Sequence, residues 1–305
     1  MMLFASPQRV LSTGTEIKEV GMQVQHFIDS RTWTLTYVVH DEYSQHGIVI
    51  DSVLDFDPKS GRTWQASSEA VARYIEAHKL TIPYVLDTHA HADHLSGMQF
   101  FKKHYGAQTV IGAAITQVQA RFRDLFNLGH AFPVDGRQFD LLLKEGDVLK
   151  VGTLHVKALH TPGHTPACLT YQIGDALFVG DTLFQPDYGT ARCDFPGGSA
   201  AALYDSIQRL YAMPNTTRLF TCHDYQPGGR SLQYESTIGE QKATNIQLNA
   251  NTSKEEYVAF RTKRDATLEV PVLILPSLQI NIRAGRLPEP ESNGMSYLKL
   301  PLNVL

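Results

Sequence analysis

The sequence predicts an α/β fold, and three observations carry that reading. Strand-length apolar runs alternate with segments of helical period: strand 84–87, helix 95–105, strand 108–112, helix 113–126. A second half, richer in strands, begins near Phe139. Within that half, three apolar strands stop at residues that offer a His or an Asp. In layered α/β folds, sites assemble on such loops at strand ends.

Taken in order, residues 1–21 show no strong period and read as an arm or an outer strand. From Val24 the pattern becomes that of strands. Residues 32–39 alternate bulky side chains with threonine, as a half-buried strand does, and 47–51 follow as a hairpin partner. Turn chemistry marks 55–61 as a loop. Ser67 or Ser68 is placed to cap a helix running to about His78, with Val71, Tyr74 and Ile75 inward. The strand at 84–87 follows Pro83, and the helix at 95–105 would bury Leu95, Met98, Phe101 and Tyr105.

Farther on, strand 156–160 enters a Pro-Gly turn at 161–165, and strand 176–179 enters Gly180-Asp181-Thr182. Helix 200–211 would turn Leu203, Ile207, Leu210 and Tyr211 inward, and strand 218–221 leads into Cys222-His223-Asp224-Tyr225. Helices are expected at 237–248 and 253–267, with Thr237 and Glu240 forming a capping box. The apolar run 270–275 precedes 278–283, read as an extended segment entering the site, and 287–294 is a surface loop. The halves 22–135 and 136–235 should each supply a sheet flanked by helices. With no repeat of fixed period and no low-complexity linker, 1–305 is expected to be one domain, with 236–305 as a C-terminal extension packed on it.

Composition narrows the function classes. A chain of 305 residues with 43% hydrophobic and 19% charged residues can bury a large core as an ordinary globular protein. A net charge of −4 gives no electrostatic reason to expect nucleic acid or an anionic membrane as a partner. No apolar run approaches the roughly 18 residues of a membrane span. Residues 1–7 lack the charged start and apolar core of an export signal, so export is not expected. Cys168, Cys193 and Cys222 are too few and too scattered for a disulfide framework or a thiolate zinc cage, and read as buried small hydrophobes. A reducing cytoplasm fits.

The most informative stretch is Thr88-His89-Ala90-His91-Ala92-Asp93-His94-Leu95-Ser96-Gly97. Here three imidazoles and a carboxylate crowd a strand-to-helix turn. On extended backbone His89 and His91 share a face, while His94 begins the next element. Burying so many titratable groups together is costly without a cation to compensate. A metal site is therefore expected over a solvated histidine-rich loop. Alone, His164 could be a turn residue and Asp181 a helix cap; their order and spacing after the cluster make them candidate ligands.

The set His89-x-His91-x-Asp93-His94, then His164, Asp181 and His223, resembles the metallo-β-lactamase superfamily. That resemblance implies an αβ/βα four-layer sandwich with the metal at the edge of two packed sheets. In two-metal members one site would take His89, His91 and His164, the other Asp93, His94 and His223, with Asp181 bridging. Such a site would activate a bridging water for hydrolysis.

Further motifs narrow the resemblance. Arg192-Cys193-Asp194-Phe195 is similar to the Gly-Arg-Thr-Asp-Phe motif of persulfide dioxygenases. His223-Asp224-Tyr225 matches their His-Asp-Tyr, and Asn281-x-Arg283 resembles their Asn-x-Arg. The whole chain most resembles the bacterial β-lactamase hydrolase-like subgroup, sometimes found with an extra domain; no rhodanese-type segment is seen. The loop between Asp181 and Arg192 is slightly longer than in the mammalian mitochondrial form.

The resemblance implies one Fe(2+) per chain, held by His89, His164 and Asp181 as a facial triad with open positions for oxygen and substrate. His91, Asp93, His94 and His223 would then support the triad or form a second metal site. Arg192 would clamp a glutathione carboxylate, Tyr225 would contact the peptide or sulfur, and Arg283 is a further substrate candidate. The implied activity is glutathione persulfide dioxygenase in sulfide detoxification, with glutathione persulfide and O2 as partners and a homodimer allowed for. The alternative is a glyoxalase II-type thioester hydrolase with two Zn(2+), whose C-terminal helices carry basic residues for glutathione. A non-catalytic metal-responsive protein is disfavoured by the intact ligand set.

Overall fold

A computed structural model describes residues 21–304. The proposed N-terminal arm therefore lies, but for its last residue, outside the described residues.

The first half opens with three antiparallel strands, β1 (Met22–Asp29), β2 (Thr34–Asp41) and β3 (His46–Ile50). A short hairpin, β4 (Val53–Asp57) and β5 (Arg62–Trp64), leads into helix α1 (Ala66–Ala77). Next come β6 (Thr81–Leu86), β7 (Leu95–Ser96), α2 (Met98–Tyr105), β8 (Gln108–Gly112), α3 (Ile115–Leu125) and β9 (Leu141–Leu143). The second half contains β10 (Val148–Val151), β11 (Leu154–His160), β12 (Leu169–Ile173), β13 (Ala176–Phe178), α4 (Ala200–Tyr211), β14 (Arg218–Phe220) and β15 (Glu235–Thr237). Three helices follow: α5 (Ile238–Thr244), α6 (Lys254–Asp265) and α7 (Ile274–Asn281).

These strands form two six-stranded sheets, ordered β1-β2-β3-β6-β8-β9 and β10-β11-β12-β13-β14-β15, and a small sheet β5-β4-β7. The layering follows from strand alternation. Leu35, Tyr37 and Val39 of β2 point one way and join Val156, Tyr171, Phe178 and Phe220 of the second sheet in a shared core. Val38, between them, points the other way and packs with Val71, Ile75, Met98, Phe101 and Phe122 from α1, α2 and α3. Across the second sheet, Leu177 and Leu219 pack on Leu203, Ile207 and Leu210 of α4. Helices cover both outer faces, so this is the expected αβ/βα four-layer sandwich.

Several local expectations are corrected. Residues 32–39 read as half-buried, yet every residue of β2 is buried, because helices cover the face opposite the second sheet. The helix read from Leu95 begins at Met98 instead, because Leu95 and Ser96 pair with Leu54 and Val53. Gly97 makes the corner, where a Cβ would come within 2.8 Å of the Val53 carbonyl oxygen. The loop read at 55–61 contains the end of β4 and only a tight turn before β5, closed by the Gly61 N–H on the Asp57 carbonyl. Neither Ser67 nor Ser68 caps α1, since Gln65 holds that position; Ser67 bonds the Asp55 carboxylate and Ser68 the Val53 carbonyl.

The helix 200–211 and the Thr237–Glu240 capping box form as read, although α5 ends at Thr244. A second box, Ser253 with Glu256, starts α6. The extended reading of 278–283 fails: Ile274, Leu278 and Ile282 recur at helical spacing on one buried stripe, and Pro276 sits in the first turn, where helices tolerate it. Finally, β9 joins the first sheet parallel to β8, so the halves divide between 143 and 148. No helix among the described residues is long and apolar enough to cross a membrane.

Candidate metal centre

The parallel pairs β3–β6 and β13–β14 bring strand ends to one edge of the sandwich. The histidine stretch leaves β6, Asp51 follows β3, Asp181 follows β13 and His223 follows β14. His164 lies on the turn between β11 and β12. His89, His91, His94 and His223 are each fully buried, and His164 and Asp181 nearly so. Close packing dictates residue choice here too: Gly180 has φ +53, and a Cβ on it would lie 2.4 Å from Thr88 Oγ1.

One group of donors converges. His164 Nδ1 donates to the Arg192 carbonyl at 2.8 Å, leaving Nε2 free to ligate. His89 Nδ1 lies 3.0 Å from Thr88 Oγ1, which leaves its Nε2 without a hydrogen-bond partner. Both Nε2 atoms face Asp181 Oδ2 at 3.7 Å. Ligand atoms of His89, His164 and Asp181 all lie within 4.8 Å of one another. Metal bonds of about 2.1 Å place neighbouring ligand atoms about 3.0–3.5 Å apart, so little contraction is required. Burial, reinforced by His91 and His164, holds the His89 imidazole well below its ordinary pKa, in the neutral form that binds metal.

The remaining residues are arranged differently. Asp93 Oδ2 accepts from His94 Nδ1 at 3.3 Å and lies 3.1 Å from His223 Nε2, which has no hydrogen-bond partner and also faces Asp181 Oδ1 at 3.5 Å. Burial would pull the His223 imidazole down, but the carboxylates of Asp93 and Asp181 outweigh it and lift the pKa to about 10. His94 Nδ1 also contacts Thr34 Oγ1 at 3.2 Å. His91 Nε2 donates to Asp51 at 3.0 Å and keeps an unpartnered Nδ1. Donor atoms of His91, Asp93 and His94 also fall within 4.8 Å of one another, so a second cation has candidate ligands.

Sequence reasoning missed Asp51. It adopts φ +52 and accepts from the Thr88 N–H at 2.7 Å, the Thr88 hydroxyl at 3.0 Å and His91. An aspartate ending an apolar strand was the available signal. Cys222 was read as buried filler; it is buried, but its thiol also lies within 4.8 Å of Asp181 and His223 ligand atoms. Asn281, noted only within a resemblance, ties the C-terminal helix to the histidine loop. Its Oδ1 accepts from the Ser96 N–H, and its Nδ2 donates to the carbonyls of His91 and His94, each at 2.8 Å.

The expected substrate contacts divide. Tyr225 stacks parallel on His223, centroids 5.6 Å apart at 11°. The Arg192 guanidinium instead pairs bidentately with Asp194, at 2.6 Å for both bonds, and donates to the Glu269 carbonyl. Its link to the cluster is the backbone carbonyl that receives His164. Arg283 lies over the Phe132 ring at 4.6 Å and bonds the Gln279 carbonyl, rather than joining the histidines.

Residues 34–223 match the family model of the Metallo-beta-lactamase superfamily. The chain belongs to this superfamily. A β-lactamase hydrolase-like protein of Agrobacterium fabrum is 50% identical over 282 residues, 92% of this chain but only 65% of that protein's length. A Dictyostelium discoideum protein named glyoxylase B2 is 44% identical over 285 residues, covering 93% of this chain and 98% of that one. The human mitochondrial persulfide dioxygenase ETHE1 is 28% identical over 256 residues, covering 83% and 84%. Among solved structures, ETHE1 from Myxococcus xanthus superposes with a TM-score of 0.70 at 28% identity, over 87% of this chain and all of that one. Within the superfamily, the buried His/Asp cluster at the sheet edge is a metal-binding centre by its donor chemistry.

Proposed function

We propose that this metallo-β-lactamase-fold enzyme is a mononuclear Fe(2+) persulfide dioxygenase acting on glutathione persulfide. The carrying observation is the division of the seven candidate ligands. Ligand atoms of His89, His164 and Asp181 gather on one another with His89 Nε2 unpartnered, whereas Asp93 accepts from His94 Nδ1 and faces His223. The named similarity to human and Myxococcus xanthus ETHE1 supports the same reading.

The overall reaction takes glutathione persulfide, O2 and water to glutathione, sulfite and two protons; the terminal sulfur is oxidised and O2 is reduced. His89, His164 and Asp181 would hold the Fe(2+), which would supply the redox chemistry between O2 and the persulfide sulfur. The chain's residues set that arrangement. The Arg192 carbonyl orients His164, and Thr88 orients His89. His223 Nε2 lies between the two carboxylates, 3.1 Å from Asp93 and 3.5 Å from Asp181. The ring of Tyr225 stacks on His223.

Anaerobically purified protein should hold about one iron and consume O2 with glutathione persulfide. The second reading is a two-zinc glutathione thioester hydrolase. It is favoured by the His91, Asp93 and His94 grouping and by the name glyoxylase B2 of a relative. Two zinc ions with S-lactoylglutathione hydrolysis and no persulfide-dependent O2 uptake would establish it instead.

A further inference from the structure

Two loops meet beside His223, and each places a carboxylate immediately before a tyrosine. One, after β13, carries Asp187-Tyr188; the other, after β14, carries Asp224-Tyr225. The tyrosine rings lie against each other, centroids 4.7 Å apart at 32°. Phe184 meets both edge-on, at 5.5 Å and 5.9 Å, and Tyr225 stacks in turn on His223.

Arg230 sits between the two carboxylates. Its Nε and Nη2 donate to Asp187 at 2.5 and 2.9 Å, while Nη1 and Nη2 each donate to Asp224 at 2.7 Å. The intervening turn makes this reach possible. Gln226, Gly228 and Gly229 all adopt positive φ, folding the chain back so that Arg230 returns to Asp224. Asp224 is buried, with a side chain 1% exposed, and also accepts the N–H groups of Gln226 and Gln233. Asp187 is 44% exposed. One end of the clamp is thus anchored, and the other holds a surface loop against it. Only a guanidinium presents a planar fork to two carboxylates at once; an ammonium cannot.

We infer that Arg230 is a positioning residue that locks the loops at 187–188 and 224–225 together, making Tyr188 and Tyr225 one aromatic wall on which the glutathione portion of the substrate lies. This rests on the proposed reading that the site takes a glutathione-linked sulfur compound. It adds Tyr188 to the substrate contacts and names what holds it. Tyrosine faces suit the role because they offer large contact area at low conformational cost.

The experiment compares R230Q, R230K, Y188L and the double variant R230Q/Y188L, each as full-length, iron-loaded protein. Readouts are kcat and KM from persulfide-dependent O2 uptake, iron content, and the tyrosine band in near-ultraviolet circular dichroism. R230Q should raise KM about tenfold with kcat within about twofold and iron unchanged, and R230K should recover only part of the loss. Y188L should match R230Q, and the double variant should be no worse than the poorer single one, since Arg230 acts through the tyrosine. A KM within about twofold of wild type in R230Q, or multiplicative losses in the double variant, overturns the inference. Should R230Q fail to fold, D187N breaks only the exposed half of the clamp, and an unchanged KM there overturns it equally. The circular dichroism band separates this inference from the functional reading. A band retained in R230Q refutes the clamp whatever the enzyme turns over. A band lost in R230Q and Y188L alike, with no persulfide turnover by wild type, supports the clamp and counts against the reaction alone.

Discussion

Replacing Asn281 tests how the C-terminal helix fixes the metal loop. Its side chain is 1% exposed and makes three hydrogen bonds to the backbone of the histidine stretch. Asn281→Ala strands the buried Ser96 N–H and takes a donor from two buried carbonyls. A stranded buried polar group costs about 1–3 kcal/mol, with the N–H counted fully and each carbonyl, which keeps a second lone pair, at the low end. The expected loss is about 3–5 kcal/mol, a large share of the ~5–15 kcal/mol typical of a folded domain. Asn281→Asp should cost more, because it turns a carboxylate oxygen on two carbonyl oxygens. Both losses are measurable by urea unfolding of metal-free protein, with the slope checked for two-state behaviour. Iron affinity should fall about 10–100-fold in Asn281→Ala as the loop loosens. A loss below about 1 kcal/mol, or an aspartate variant as stable as wild type, would refute the reasoning.

Three further outcomes are expected. His89→Ala, His164→Ala and Asp181→Ala should each abolish iron binding, while His94→Ala should keep iron and lose activity by about 10–100-fold; loss of metal in His94→Ala as complete as in His164→Ala contradicts the mononuclear assignment. Gly180→Ala should destabilise the protein by more than about 2 kcal/mol in thermal or urea unfolding, since positive φ and the Thr88 clash act together, and a fully stable variant would show that the loop relaxes freely. In metal-free protein, His223 contributes stability that is fully present below about pH 6.5 and is lost as pH rises through about 10, because its folded pKa is raised. The stability gap between wild type and His223→Gln should therefore shrink from pH 7 to pH 10, and a constant gap would refute the charged pair.

Some of this protein was local information. The boundaries of α4, the Thr237–Glu240 box and the strands leading to His89, Asp181 and His223 were all legible, because periodicity and capping depend on residues a few positions apart. The candidate ligands were legible for a different reason: so many imidazoles and carboxylates in buried strand-end positions require compensation. What needed the tertiary structure was pairing across long separations. Asp51 meets His91 from 40 residues away and Asn281 reaches His91 from 190. Leu95 and Ser96 follow a helical pattern, but backbone pairing with Val53 and Leu54 overrides it. The apolar segment that became α7 fits either secondary structure until its burial partners are known. Likewise, the Arg192 guanidinium turns to Asp194, and Arg230 to Asp187 and Asp224. Each such outcome depends on which desolvated groups the packed sheets and helices bring within bonding distance.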